Sequence, residues 1–171
     1  MSSRRQKKFL SLYEPVHDRF ERFCRARVFG QMEFRDLMND TLVVAYQKFH
    51  ELKSEKAFLS YLFGISIRLL SNYHKKKREV DHLSDLDLPE LSSNCHTDSD
   101  AEISLLHQAL SRLPEEQKES IILFEITGFS IREIAALHQV SESAVKQRLV
   151  RGRKRLARML MQVPSQKDKT S

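Results

Sequence analysis

The chain has no tryptophan, and only four glycines, four prolines and two cysteines among its 171 residues. So few turn-forming and helix-breaking residues, with little alternation of apolar and polar positions, argue against a sheet protein. Two cysteines cannot build a disulfide framework, and a zinc site needs more ligands at fixed spacing. Cys24 falls in an apolar helical pattern and reads as a buried thiol; Cys95 stands beside His96 without further ligands. The seven histidines are scattered singly, and there is no glycine-rich phosphate loop, HExxH motif or nucleophile elbow. No enzyme, metal or cofactor is expected. No stretch approaches the ~20 apolar residues of a membrane span. The N-terminal residues lack the apolar core of a signal peptide, so a cytoplasmic protein without membrane insertion is expected.

What the chain does have is charge, unevenly distributed. The net charge is +6. Arg4, Arg5, Lys7 and Lys8 are basic, as are Lys75 to Arg78 and the stretch 146–158. Between Glu79 and Glu102 lie eight carboxylates and no lysine or arginine. Two basic blocks joined by an acidic strap predict two modules, and the basic excess suits a nucleic-acid partner.

Helical periodicity fills both modules. A first helix is predicted over 15–29, opened by Pro15, with Val16, Phe20, Phe23 and Cys24 inward and Gly30 as its stop. A second runs from about Met32 to Phe49, with Phe34, Leu37, Met38, Thr41, Leu42, Ala45 and Phe49 inward. Asp36, Asn39 and Asp40 form its polar face. Ser54 can cap a third helix reaching about Arg78, with Phe58, Tyr61, Leu62, Ile65 and Leu69 as its core stripe. Arg68, Asn72, Lys75 and Lys76 lie off that stripe. Phe58 and Tyr61 read as core rather than as platforms for bases. The strap carries Leu83, Leu86, Leu88 and Leu91, which either dock on a partner or anchor it locally. Helix 101–112 presents Ile103, Leu106 and Leu110. Pro114 opens helix 114–127, and Gly128 ends it in a left-handed cap. The tail from Pro164 is polar and charged and is expected to be disordered.

Residues 129–156 then read as a helix-turn-helix. Ile131, Ile134 and Ala135 mark the first helix, Val140 closes the turn, and Ser141 is the N-cap of the second. Val145, Leu149, Gly152 and Leu156 form one apolar stripe. With that stripe inward, Ser143, Ala144, Gln147, Arg151 and Lys154 face outward, flanked by Lys146, Arg148, Arg153 and Arg155. Short side chains allow close approach to base edges, glutamine can bond them, and arginine and lysine neutralise phosphates.

The stretch Leu113-Pro-Glu-Glu-Gln-Lys-Glu-Ser-Ile-Ile-Leu-Phe-Glu-Ile-Thr-Gly-Phe-Ser-Ile-Arg-Glu-Ile-Ala-Ala-Leu, with Val145-Lys-Gln-Arg-Leu-Val-Arg-Gly-Arg, resembles region four of the bacterial RNA polymerase sigma factors. Phe34-Arg-Asp-Leu-Met-Asn-Asp-Thr-Leu and Ala57-Phe-Leu-Ser-Tyr-Leu-Phe-Gly-Ile resemble region two. Two such regions without a full region three is the plan of the extracytoplasmic-function (ECF) group. The chain departs from the family pattern at Tyr61, where tryptophan is usual, at Arg68 and Asn72, where asparagine and aspartate are usual, and at Ser143-Ala144 and Gln147.

The resemblance implies an all-α fold of two helical domains joined by an acidic, flexible linker, the C-terminal one carrying the helix-turn-helix. The expected bounds are a region-two-like domain over 9–79, a linker over 80–100, a region-four-like domain over 101–162 and a tail over 163–171. It implies a factor that binds core RNA polymerase and directs initiation at chosen promoters. Asp36, Asn39 and Asp40 would meet polymerase. Arg68, Asn72, Lys75 and Lys76 would hold the opened downstream promoter element. Ser141, Ser143, Ala144, Lys146, Gln147, Arg148 and Arg151 would read the upstream element as duplex. The implied partners are core polymerase and promoter DNA, with an anti-sigma protein as a further candidate. The rival reading is a stand-alone helix-turn-helix regulator, which would bind its operator without polymerase.

Overall fold

The computed structural model describes residues 2–81 and 98–162. Leu83 to Leu91, Cys95 and the tail from 163 lie outside the described residues, and the expectations placed on them go no further. Every regular element among the described residues is helical, and they fall into two compact units.

The first unit begins with a helix that apolar periodicity did not announce. Its α1 spans Ser2–Tyr13, a 3₁₀ turn over Glu14–Val16 follows, and α2 spans His17–Arg27. The expected helix over 15–29 is therefore corrected: Pro15 sits in the 3₁₀ turn between two helices. α1 was hard to see because one residue, Phe9, fastens most of it. The Phe9 ring meets Tyr46, Phe49 and Phe58 edge-on at centroid distances of 5.4, 5.3 and 5.4 Å. Arg5 adds a second fastening. Its guanidinium donates to the carbonyls of Tyr46 and Gln47, at 2.6 and 3.1 Å. Those carbonyls end α3 (Phe34–Gln47), where a helix leaves acceptors unpaired and a cation is favoured.

Gly30, at φ 72°, turns the chain between α2 and α3. Two 3₁₀ turns, Phe49–Glu51 and Glu55–Ala57, lead into α4 (Phe58–Asp81). Ser54 precedes the second turn, but its side chain makes no capping hydrogen bond. Phe20, Phe23, Cys24, Leu37, Thr41, Ala45, Phe58, Leu62, Phe63 and Leu70 close the core between α2, α3 and α4. Leu69, expected in the stripe, is only half-buried; Leu70 holds the inner position. Val16 is likewise half-buried. Burial pushes the Cys24 thiol far above its usual range, with the Glu21 charge adding to the effect, which fits an inert core thiol.

The second unit comprises α5 (Asp98–Ser111), α6 (Glu115–Ile121), α7 (Ile131–His138) and α8 (Glu142–Met161). The strap as read from the sequence is helical at both ends, since α4 runs to Asp81 and α5 begins at Asp98. In α5, Ala109 and Leu110 are buried, but Ile103 is 50% exposed and leaves the inner face assigned to it. α6 continues into a π-helical turn over Ile122–Ile126, in which the Thr127 N–H donates to the Ile122 carbonyl at 3.1 Å. Gly128 leaves that turn at φ 75°. α8 packs on α5, α6 and α7 through Val145, Leu149 and Gly152.

Candidate nucleic-acid and polymerase interfaces

Three caps set the geometry of the helix-turn-helix. Ser130 opens α7 in a capping box: its hydroxyl accepts from the Glu133 N–H at 3.1 Å, and the Glu133 carboxylate accepts from the Ser130 N–H at 2.8 Å. Gln139 ends α7 in the left-handed region, at φ 55° and ψ 45°. Ser141 caps α8, its hydroxyl accepting from the Ala144 N–H at 3.1 Å. Sequence reasoning found Ser141. It overlooked the Ser130–Glu133 box, whose serine-to-glutamate spacing is a legible signal.

A close approach then fixes α8 against α6. A Cβ at Gly152 would lie 2.5 Å from Ile121 Cδ1, so glycine lets the two helices meet there. With Val145 and Leu149 buried, Ser143, Lys146, Gln147 and Arg151 are exposed and Ala144 is half-buried. Lys146, Gln147, Arg151 and Lys154 hold no hydrogen bond or ion pair among the described residues, so their heads are available to a ligand. Val150, which sequence reasoning left unassigned, is 49% exposed among them.

Two arginines of α8 behave differently. Arg153 pairs with Glu125 at 2.5 Å and lies over the Phe124 ring, 5.3 Å from its centroid. Arg148 points back at the scaffold, near His138 of α7 and Glu116 of α6. The sequence reading grouped both with the cations flanking the outward face.

In the first unit, Asp36, Asn39 and Asp40 are all exposed on α3, and none of the three side chains has a partner among the described residues. Arg68, Asn72, Lys75 and Lys76 are exposed along α4, spread over more than two helical turns. Arg68 is partly occupied, its Nε donating to the Gly64 carbonyl at 3.1 Å. Phe58 is buried and the Tyr61 hydroxyl donates to the Ala45 carbonyl at 3.0 Å, so both belong to the packing of α4 on α3. Burial raises the Tyr61 hydroxyl above its usual pKa.

His17, Asp18 and Glu21 bring possible metal-ligand atoms within 4.8 Å of one another. Those atoms are largely spoken for. His17 Nδ1 shares a hydrogen bond with the Tyr13 hydroxyl at 2.8 Å, and its Nε2 faces Glu21 at 3.2 Å. Arg25 donates twice to Glu21, at 2.8 and 2.7 Å, and these bonds hold the Glu21 carboxyl below its ordinary pKa.

The helix-turn-helix, with unpaired cations along its second helix, defines an all-helical, two-unit DNA-binding protein. Comparison with known proteins narrows the class. The family model for sigma-70 region 2 matches residues 12–80, and that for sigma-70 region 4 matches residues 103–156. The chain is 29% identical over 126 residues to the ECF RNA polymerase sigma factor EcfG of Rhodopseudomonas palustris, covering 73% of this chain and 70% of that protein. It is 29% identical over 146 residues to the RNA polymerase sigma factor NccH of Alcaligenes xylosoxydans xylosoxydans, covering 79% and 78%. In fold it is similar to the sigma factor RpoE of Bartonella quintana, solved in complex with the anti-sigma factor NepR. The TM-score is 0.79 at 24% identity, over 92% of this chain and 99% of that one. The chain belongs to the sigma-70 family, as a sigma factor of the ECF type. It directs promoter-specific transcription initiation, and the stand-alone regulator is set aside because region 2 is matched as well as region 4.

Proposed function

We propose that the two units divide the work of initiation. The first unit, expected over 9–79, binds core RNA polymerase through Asp36, Asn39 and Asp40 and holds opened downstream DNA along Arg68, Asn72, Lys75 and Lys76. Exposed carboxylates and an amide without internal partners suit a basic docking surface. The α4 residues offer charge for phosphates and amides for splayed bases. The second unit, expected over 101–162, sets α8 in the major groove of the upstream element. Ser141 and Lys146 contact phosphates there, and Ser143, Ala144, Gln147 and Arg151 face base edges.

One observation carries this reading. Gln147 and Arg151 stand exposed and unpaired, one helical turn apart, on a helix whose opposite stripe is fixed by Val145, Leu149 and Gly152. Strand separation then draws on binding energy; the chain performs no covalent chemistry, needs no cofactor and works in the cytoplasm. Among the described residues no helix is long and apolar enough to cross a membrane. The Bartonella relative is held by an anti-sigma protein, and we extend such a partner to this chain.

In-vitro transcription with purified core polymerase on a promoter library tests the reading. The chain is expected to select one family of two-part promoters, and only with core polymerase present. Charge reversal at Asp36 and Asp40 is expected to weaken binding to core polymerase while helicity stays intact. Equal binding to duplex promoter with and without polymerase would return the chain to the class of stand-alone regulators.

A further inference from the structure

Arg148 lies on the recognition helix, yet its side chain is only 19% exposed and its head is turned inward. One guanidinium N–H donates to His138 Nδ1 at 3.4 Å, and another nitrogen lies 3.5 Å from a Glu116 carboxylate oxygen. Arginine has donors and no acceptor, so His138 Nδ1 is the acceptor here and the ring N–H sits on Nε2. That nitrogen faces a Glu119 carboxylate oxygen at 2.7 Å, within ion-pair range but off the line of a good hydrogen bond. The His138 and Glu119 side chains are 7% and 11% exposed. Glu116 and Glu119 belong to α6, His138 is the last residue of α7, and Arg148 belongs to α8. The four residues thus tie together the three helices that form the reading head.

We propose that Glu119, His138, Arg148 and Glu116 form a bracket that sets the rotation of α8, and that Arg148 is a positioning residue rather than a phosphate contact. The inference rests on the reading of α8 as the promoter-reading helix and specifies how that helix is aimed. Arg148 directly follows Gln147 and lies three residues before Arg151. A rotation of α8 about its own axis would therefore carry both outward side chains away from their base edges. Val145, Leu149 and Gly152 press α8 against the scaffold, but an apolar stripe is non-directional and tolerates a small roll. A hydrogen bond to the buried His138 ring on α7 and an ion pair to Glu116 on α6 resist it.

The test uses the full chain with core polymerase, a randomised upstream element and several salt concentrations. A phosphate contact and a positioning contact leave different signatures. Losing the former weakens all sequences alike and lowers the salt slope by about one. Losing the latter blurs base choice and leaves the slope alone. Arg148→Met is expected to flatten the preference at the upstream positions by about tenfold, with an unchanged salt slope. Adding His138→Leu is expected to leave that preference flat, because an apolar pair supplies no directional contact and takes the imidazole from beside the buried Glu119 carboxylate. Arg148→Lys provides a second reading should Arg148→Met not fold. It keeps the charge but cannot span both partners, so preference falls and the slope does not.

A slope lowered by about one with base choice intact in Arg148→Met, or an Arg148→Lys protein indistinguishable from wild type, overturns the bracket. A wild-type polymerase complex without any upstream preference is a different result. It removes α8 as the promoter reader, and the bracket's role with it.

Discussion

Gly152 is the point where α8 can be pushed off its scaffold by one carbon. A Cβ there would sit 2.5 Å from Ile121 Cδ1, 3.3 Å from Gln117 Cβ and 3.4 Å from Ile121 Cγ1. Ile121 is 3% exposed, so its terminal methyl has little room to swing aside. Two effects oppose each other in Gly152→Ala. Removing glycine from a helix interior gains about 1 kcal/mol. Overpacking a tight contact costs about 1–3 kcal/mol, and here both a side-chain end and a Cβ must yield. The net expectation is a loss of about 1 kcal/mol, which lowers the melting temperature of a unit this small by about 4–8 °C. All four tyrosines, Tyr13, Tyr46, Tyr61 and Tyr73, lie in the first unit. Tyrosine fluorescence therefore follows that unit alone, while circular dichroism follows both. Gly152→Ala is expected to shift part of the dichroism melt and leave the fluorescence midpoint in place. Ile121→Val removes the offending methyl at a cost of its own of about 0.5–1.5 kcal/mol. The double variant is expected to be no less stable than Ile121→Val alone. A Gly152→Ala protein that melts higher than wild type, or losses that simply add in the double variant, would refute the close-approach argument.

Three further outcomes are expected. Ser130→Ala removes one arm of the α7 capping box and should cost about 1 kcal/mol, read as a lower urea midpoint of the dichroism transition; an unchanged midpoint would count against the box. Gln139→Gly should stabilise the second unit by about 0.5–1 kcal/mol, because glycine adopts the left-handed conformation without a Cβ penalty; a lower melting temperature would contradict that. Burial, assisted by the Glu21 charge, pushes the Tyr13 hydroxyl up to about 12 from an ordinary 10.0. A pKa raised on folding contributes stability that is present below the ordinary value and lost as pH rises toward the folded one. Stability should therefore fall between pH 10 and 12 through this group, and Tyr13→Phe should flatten that limb. An ultraviolet titration in which all four tyrosines ionise together near 10 would show that Tyr13 is not shielded.

The residues explain which parts of this architecture are legible in sequence. α3, α4 and α8 each carry an apolar residue every third or fourth position, so their inner faces could be read from spacing alone. Ser141 was legible because a serine before a periodic run has one dominant use. α1 was not, because a helix held by one aromatic and one arginine leaves no stripe to find. Its partners, Tyr46 and Gln47, are 41 and 42 residues away from Arg5, beyond any local pattern. Ile103 misled for the opposite reason: it has the right spacing, but the early turns of α5 leave it exposed. Gln139 carries no signal at all, since glutamine is an ordinary helix former and its φ of 55° is imposed by the turn it must close.

The cations of α8 show why the proposed reading face needed the structure as well as the sequence. In sequence Lys146, Arg148, Arg151, Arg153 and Lys154 are one basic run, and charge alone cannot rank them. Folded, Arg153 is committed to Glu125 and Arg148 to His138 and Glu116, while Lys146, Arg151 and Lys154 remain unpaired. The stabilising contacts of the helix are thus separated from its outward contacts. Substitutions of exposed side chains without internal partners change stability little. On the proposed reading, changes at Ser143, Gln147 or Arg151 are therefore expected to alter base choice at little cost to folding. Changes at Val145, Leu149 or Gly152 alter folding before they alter reading. Arg148 is the exception, because on that reading its neighbours in sequence face the bases while its partners in space belong to the scaffold. A substitution there is expected to affect stability and base choice together.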